Sequence, residues 1–151
     1  MTDLSLPCPA SALVPHGPPM RLVETLLAVR DGGDAPGGEA AARVLPAWPF
    51  VDAAGALDPS ALVELAAQAY AALAGWRRRR DGLPAGEGFL VGLKGVRFGR
   101  PVRVGEELTV RLTELGGFAG FQLVEAAVLC GPDTVCRGQL KLFAPPAGAG
   151  G

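Results

Sequence analysis

One carboxylate lies in the most apolar stretch of the chain. Residues 61–76 read ALVELAAQAYAALAGW, in which Glu64 and Gln68 are the strongly polar side chains. Burying a carboxylate is costly unless it is hydrogen-bonded or neutral, and burial raises the pKa of a carboxyl group. A carboxyl group that stays protonated near neutral pH can act as a general acid. The alternative is that Glu64 lies on a solvent-facing stripe or caps a nearby loop amide.

Two further side chains could work with this carboxyl group. Gln68 follows Glu64 by four residues, so both side chains share one helix face, and Gln68 could orient the carboxyl group or bind a substrate oxygen. His16 is the only histidine, in the proline-restricted loop PHGPP,. A neutral imidazole there could act as a base near pH 7. The alternative is a loop histidine that hydrogen-bonds a backbone carbonyl.

Arginines form a cluster at residues 77–80, the sequence WRRRRD. One interpretation is a solvated last turn favoured by the helix dipole. The other is a docking patch for an acidic partner. The predicted patch consists of Arg77, Arg78, Arg79 and Arg80, with Arg97, Arg100 and Arg103 adding charge nearby.

Several site classes lack support in the sequence. One histidine and three cysteines without metal-ligand spacing predict no metal site,. No phosphate-loop or serine-nucleophile motif is present, so no cofactor is expected. The pair Cys130 and Cys136 is better explained by strand packing than by a zinc half-site, and the odd cysteine count favours reduced thiols.

Length and composition predict one domain over residues 1–143, followed by a flexible tail at 144–151. The net charge of −1 over 151 residues gives no reason to expect nucleic acid or an anionic membrane as a partner,. No apolar run is long enough for a membrane span. The acidic start MTDLSLPCPA is unlike a signal peptide, so a cytoplasmic location is expected,.

The elements that must position these side chains can be placed in outline. The sequence RDGGDAPGGE predicts a hairpin turn, with a strand at residues 39–45 returning from it. Asp58 and Pro59 predict a helix start, and the helix should end at Asp81-Gly82. This helix is apolar nearly all round, so we expect it to be enclosed.

Strand-like runs follow the helix, with turns predicted at Gly116-Gly117 and Gly131-Pro132. In ELTVRLTEL, Leu108, Val110 and Leu112 alternate with polar residues,. A hairpin, one long helix and a meander of three or four strands predict an α+β fold in which an antiparallel sheet wraps round the helix. An open sheet edge in such a fold predicts a dimer.

The chain contains the segments PHGPPMRLVETL, ALVELAAQ and GFLVGLKGVRFGRPVRVGEELTV. Together they resemble 3-hydroxyacyl-[acyl-carrier-protein] dehydratases of the hotdog fold. PHGPPMRLVETL resembles their PHR-x-P-x-L-L-x-D opening, and ALVELAAQ resembles the E-x-x-A-Q segment of their central helix. GFLVGLKGVRFGRPVRVGEELTV resembles their R-F-R-R-P-V-x-P-G-D-x-L segment, with Arg97, Phe98, Pro101, Gly105 and Leu108 in register. The resemblance covers roughly residues 15–112. The Pro-Pro-Met sequence at 18–20 is more similar to the divergent dehydratases of aryl polyene clusters.

The resemblance implies a role for each candidate residue. A histidine base would take the C2 proton of a 3-hydroxyacyl thioester, and Glu64 would handle the departing C3 hydroxyl. Amides of Ser60, Ala61 and Leu62 at the helix N-terminus would polarise the thioester carbonyl. The implied partners are an acyl carrier protein with a phosphopantetheine-linked acyl chain, docked on the arginines, and a second hotdog subunit in a homodimer or heterodimer.

One departure from this family concerns the base. The family histidine normally lies in an H-F-P-G segment, and here that segment reads PAWPFVDAAGALDPS, without a histidine. Its acids are Asp52 and Asp58, and Asp58 is expected to cap the helix. A carboxylate is a weak base for this proton, so we favour His16. The alternatives are a non-catalytic subunit of a heterodimeric dehydratase and a hotdog thioesterase in which Glu64 activates water.

Overall fold

The computed structural model describes residues 4–15, 17–86 and 88–145. One antiparallel sheet wraps round one long helix, α1, at Ser60–Arg80. The predicted α+β architecture is therefore confirmed. The strands are β1 Cys8–Pro9, β2 Thr25–Arg30, β3 Gly37–Arg43, β4 Phe89–Phe98, β5 Glu107–Phe118, β6 Phe121–Cys130 and β7 Asp133–Phe143.

The sheet order is β1-β2-β3-β5-β6-β7-β4. Only β5, β6 and β7 form the predicted meander, because β4 crosses over and pairs with β7 at the far edge. The short β1 lies in the N-terminal segment and pairs with β2. The alternation predicted for β5 is confirmed, since Leu108, Val110 and Leu112 are buried against the helix side of the sheet.

Both ends of α1 lie where the sequence predicted them. The Asp58 carboxylate accepts the Ser60 amide at 2.9 Å, as an N-cap does. At the other end, Leu83 N–H donates to Arg78 O at 2.8 Å and Gly82 N–H donates to Arg79 O at 3.1 Å. Gly82 has φ +70°, so this end is a Schellman motif that favours glycine.

The bounds of β3 and the position of the β5–β6 turn differ from the prediction. The strand predicted at residues 39–45 runs instead over Gly37–Arg43. Its first residue is a glycine because a Cβ at Gly37 would lie 1.9 Å from Leu112 O. The β5–β6 turn predicted at Gly116-Gly117 lies instead at Ala119-Gly120, both with positive φ, as in a two-residue hairpin turn. The predicted break at Gly131-Pro132 is confirmed.

The prediction of an enclosed helix is wrong for this chain. One face of α1 packs on the sheet with Leu65, Ala69 and Leu73 fully buried. The residues of the opposite face are only half-buried. This half-exposed stripe consists of Val63, Glu64, Ala67, Ala71 and Ala74.

Candidate functional site

Gln68 is the polar residue at the centre of the candidate site, and its side chain is 2% exposed. Its Oε1 accepts the backbone amides of Leu22, at 2.7 Å, and Val23, at 3.2 Å. Its Nε2 donates to Met20 O at 2.8 Å and to Glu64 Oε1 at 3.0 Å. The side chain therefore makes four hydrogen bonds and joins the helix to the strand-leading segment 20–23.

This network fixes the orientation of the Glu64 carboxyl group. Two backbone donors at Oε1 of Gln68 force its Nε2 toward Glu64, because the amide nitrogen can only donate. One carboxyl oxygen of Glu64 is thus occupied as an acceptor, and Oε2 has no hydrogen-bond partner among the described residues. Glu64 itself is half-buried, so this chain on its own does not provide the dry environment that was predicted.

The predicted base His16 lies outside the described residues. The chain on its C-terminal side is held close to the helix, since Met20 O and the Leu22 amide both contact Gln68. The alternative base, Asp52, lies in an exposed turn, where its Oδ1 accepts the amides of Ala54 and Ala56, both at 2.9 Å. That carboxylate is thus engaged in closing its own loop.

The three amides predicted to polarise a carbonyl lie in the first turn of α1. The Ser60 amide donates to the Asp58 carboxylate, and this bond and that of the Ser60 hydroxyl lower the pKa of Asp58. The Ala61 amide donates to Asp58 O and the Leu62 amide to Pro59 O, both at 3.0 Å. All three donors therefore have acceptors within the chain, and the end of the helix acts on a ligand mainly through its dipole.

A cleft of about 260 Å³ opens beside this first turn. Pro59 and Leu62 form one wall, and the chain from Phe98 to Val102 forms the other. Successive helix residues are rotated by about 100°, so Leu62 and Glu64 point to nearly opposite sides of α1. Glu64 does not line this cleft, and the described chain does not bring the carboxyl group and the cleft into one pocket.

A second cleft, of about 200 Å³, lies next to the segment that carries Gln68's backbone partners. It is lined by residues 18, 19 and 21–24 on one side and by Arg43, Leu45, Ala47 and Trp48 on the other. Among the described residues, no group of three or more His, Cys, Asp and Glu side chains is placed to hold a metal ion.

The helix arginines differ in how far they are neutralised. Arg77 donates to Glu114 at 2.6 Å, lies 3.1 Å from Asp31, and is 19% exposed. Arg80 pairs with Asp31 and Asp81. Arg78 donates to a backbone carbonyl, that of Pro84, whereas Arg79 is exposed. Two of the four guanidinium groups are therefore held by carboxylates of this chain.

The other predicted arginines are not near this cluster. Arg100 lines the cleft together with Leu62, and Leu62 lies about 22 Å along the helix from Arg77 at 1.5 Å per residue. Arg103 donates to Ala54 O at 2.6 Å in the same region, and Arg97 is exposed on β4. The seven arginines thus form two groups at opposite ends of α1, so Arg97, Arg100 and Arg103 do not add charge near the 77–80 cluster as predicted.

Arg100 belongs to a polar cluster at the rim of the cleft. It donates to both Glu106 carboxyl oxygens and to Asp133 at 2.8 Å. The Arg100 bonds, and then that of the Cys130 thiol, lower the pKa of Glu106 to about 2. Cys130 donates to Glu106 at 3.0 Å. Cys130 and Cys136 are buried in β6 and β7 as free thiols, so the strand-packing interpretation is confirmed.

A contact between the helix and β5 was missed at the sequence level. Tyr70 O–H donates to Glu114 Oε2 at 2.8 Å, and Arg77 binds the other oxygen of Glu114. Burial, and then the Glu114 charge, raise the pKa of Tyr70. The seven-residue spacing of Tyr70 and Arg77 places them on one helix face, but only the fold brings Glu114 to that face.

Residues 8–149 match the ApeP-like family, described as ApeP dehydratase. The chain belongs to this dehydratase family. This family assignment confirms the resemblance to aryl polyene dehydratases and favours dehydration over thioester hydrolysis. No curated protein sequence matches the chain. None of the helices in the described ranges has the length and apolar character needed to cross a membrane.

Two solved structures show the same hotdog fold. The dehydratase heterocomplex ApeI:P from Xenorhabdus doucetiae is similar with a TM-score of 0.82 and 24% identity, over 93% of each chain. A hypothetical thioesterase from Streptococcus pneumoniae TIGR4, solved with coenzyme A, has a TM-score of 0.58 and 12% identity. That match covers 79% of this chain and 83% of the thioesterase. At these identities the likeness establishes the fold alone.

Proposed function

We propose that this ApeP-like chain takes part in the dehydration of a 3-hydroxyacyl thioester on an acyl carrier protein, in lipid or polyene biosynthesis. The product is the 2-enoyl thioester and one water. The observation that carries the proposal is the Glu64 carboxyl group, whose Oε1 accepts from Gln68 at 3.0 Å, while Oε2 has no hydrogen-bond partner among the described residues. A fixed carboxyl group is what a leaving hydroxyl group requires.

The proposed reaction has two proton transfers. A base removes the C2 proton of the thioester, the C2–H electron pair forms the new double bond, and the C3–O bond breaks. Glu64 Oε2 gives its proton to the departing hydroxyl, which leaves as water. We assign the base to His16, because Asp52 is engaged in its own loop. The positive end of the α1 dipole would stabilise negative charge on the thioester oxygen.

A second hotdog subunit completes the site in this proposal. The half-exposed stripe of α1 includes Glu64, and a subunit covering the stripe would remove water from that carboxyl group. The edge strand β4 also exposes large apolar side chains, with Phe89 and Leu93 each 52% exposed. The heterocomplex named in the ApeI:P structure supports a partner of this kind. If the partner supplies the base, this chain is the supporting subunit rather than the catalytic one.

The carrier protein would dock beside the cleft at the helix N-terminus. Arg97 is exposed there, and Arg100 and Arg103 lie at its rim. The alternative docking site is the other end of the helix, where Arg79 has no carboxylate partner among the described residues and is the residue of the 77–80 cluster best suited to bind an acidic carrier. We expect the protein to work in the cytoplasm together with the carrier.

The test is a mass-spectrometric assay with a 3-hydroxyacyl carrier-protein substrate. The purified chain is tested alone and after co-expression with a candidate partner subunit. Loss of one water by the chain alone supports an active dehydratase, and loss only with the partner supports the subunit role. Release of free thiol without a double bond would indicate a thioesterase. No turnover in either sample would contradict the dehydratase proposal.

A further inference from the structure

The outer edge of the sheet is both apolar and basic. On β4, Phe89, Val91 and Leu93 are 52%, 51% and 52% exposed. The strand FLVGLKGVRF carries Lys94 and Arg97 and no acidic residue. An apolar edge strand invites pairing with another strand, while unbalanced charge on it restricts which strand can pair. The charges on β4 therefore restrict the kind of strand that can pair with this edge.

The two cations of β4 are not neutralised by the described part of their own chain. Lys94 lies opposite Gln139 and Arg97 lies directly opposite Arg137 of β7. Like charges directly opposite each other in a sheet are unfavourable. The acid on the neighbouring strand β6, Glu125, is 3.8 Å from Arg137, and it lies two strand spacings, about 10 Å, from β4. A carboxylate supplied from outside would relieve this excess of positive charge.

Pairing of β4 with the β4 strand of a second copy of this chain would instead increase the excess of positive charge. The strand has bulges after Leu90 and after Lys94, so its regular stretch is Gly92–Lys94. If two copies paired about a two-fold axis with both helices on one side, residues on the same face would oppose each other. Registers centred on residue 93 or 94 then place the two Lys94 side chains diagonally or directly opposite, within about 8 Å. Because the regular stretch is short, a strand added to it would form few backbone hydrogen bonds. Side-chain interactions would therefore make up a large share of the free energy of pairing.

We propose that the β4 edge selects a hotdog subunit different from this chain, whose facing strand carries carboxylates opposite Lys94 and Arg97. The inference rests on the proposed function in one respect, that a second hotdog subunit covers this side of the molecule. It adds which partner is chosen and by what means. Repulsion between copies disfavours the homodimer, and attraction favours the heterodimer.

The test uses a charge-reversed variant of the same chain, Lys94→Glu/Arg97→Glu, as a surrogate acidic partner. Wild type and variant carry tags of different mass, and dimers are measured by native mass spectrometry and sedimentation at low salt. The mixed dimer should form at least about tenfold more tightly than either homodimer, since cross-strand opposite charges attract and like charges repel. The preference should shrink at high salt as the charges are screened.

The control Arg79→Glu/Arg111→Glu reverses the same number of charges away from the edge and should show no mixed preference. If the double reversal does not fold, the neutral variant Lys94→Gln/Arg97→Gln should self-associate more tightly than wild type. A wild-type homodimer as tight as the mixed dimer, or no dimer in any mixture, would overturn the inference. Assembly is measured without turnover, so a dehydratase assay that fails while mixed dimers form would count against the proposed function alone.

Discussion

The Gln68 amide nitrogen lies 3.0 Å from Glu64 Oε1, one helical turn away. The same amide group is tied to the backbone of residues 20, 22 and 23. The residue that orients the candidate acid is therefore also the residue that attaches the N-terminal segment to the helix. Structure and chemistry can be separated by changing the two side chains one at a time.

Replacing Gln68 should mainly affect stability. In Gln68→Met, a side chain of similar length cannot accept the Leu22 and Val23 amides, and each buried unsatisfied group costs about 1–3 kcal/mol. We expect the free energy of unfolding in urea to fall by about 2–5 kcal/mol. The matched variant Glu64→Gln keeps the three backbone bonds of Gln68 and should lose about 1 kcal/mol or less. A Gln68→Met protein as stable as wild type would contradict the bonding described.

Replacing Glu64 should mainly affect chemistry. Glu64→Gln keeps the size of the side chain but cannot give a proton to a leaving hydroxyl, and general acid catalysis contributes about 100-fold or more. We expect the rate of water loss, measured by mass spectrometry with the partner present, to fall by about that factor. Glu39→Gln, on the outer side of β3, is the control and should keep the wild-type rate. A Glu64→Gln enzyme with full activity would exclude the proposed acid.

The helix could be predicted closely because its signals are local. Asp58 and Pro59 at one end and Gly82 at the other act on backbone groups within a few residues,. The alternation of β5 is likewise contained in consecutive residues. By contrast, the edge position of β4 depends on pairing with β7, which lies about 45 residues further along the chain.

The environment of Glu64 could not be predicted because it depends on which helix face is covered. The sequence of α1 is apolar on all sides, and only the fold reveals that its second face is left half-exposed. The partners of Gln68 are backbone atoms 45 to 48 positions away. Because backbone groups are common to all residues, the sequence does not indicate which of them Gln68 binds. The division of the arginines into two groups has the same non-local origin.

The helix arginines should separate into structural and accessible residues. Arg77→Ala leaves Glu114, whose side chain is 12% exposed, without its cation, and loss of one partner of a buried pair is strongly destabilising. We expect a decrease of about 2–4 kcal/mol in the free energy of unfolding. Arg79→Ala should change it by less than about 0.5 kcal/mol.

Binding of the carrier protein provides the second measurement on these variants. Calorimetric titration should show weaker carrier binding by Arg79→Ala if the 77–80 cluster is a docking site. Unchanged affinity for Arg79→Ala together with weaker binding by Arg97→Ala would place docking at the other end of the helix.

The substitution Gly75→Ala in α1 should not give the stabilisation that is usual for Gly→Ala in a helix. In an exposed helix interior, Gly→Ala stabilises by about 1 kcal/mol. Here the Cβ of an alanine would lie 2.6 Å from Leu13 O, a backbone atom. The N-terminal segment is also held by Trp76 Nε1, which donates to Leu4 O at 2.9 Å. We therefore expect Gly75→Ala to destabilise the protein by about 1–3 kcal/mol.

Thermal unfolding of Gly75→Ala should be compared with that of Ala74→Gly on the half-exposed stripe. Ala74→Gly should lose about 1 kcal/mol through helix propensity alone. A Gly75→Ala protein more stable than wild type would show that Leu13 can move away from the helix at little cost.

Acid should remove the contribution of Glu106 to stability. Hydrogen bonds from Arg100 first, and then from Cys130, lower the pKa of Glu106 from 4.5 to about 2. A lowered folded-state pKa stabilises the protein above the unfolded-state value, and this contribution is lost as the pH falls from about 4.5 toward 2. Glu106→Gln should thus be less stable than wild type by about 0.5–1 kcal/mol near pH 7, and the difference should disappear near pH 2.

The measurement is urea unfolding at a series of pH values between 2 and 7. Arg100→Gln removes the first cause of the pKa shift, so its stability curve should lie close to that of Glu106→Gln over the same range. A difference between wild type and Glu106→Gln that persists unchanged at pH 2 would mean that the carboxylate acts through packing rather than through its charge. In that case the Arg100–Glu106 hydrogen bonds would fix the conformation of the cleft rim but would add little electrostatic stabilisation.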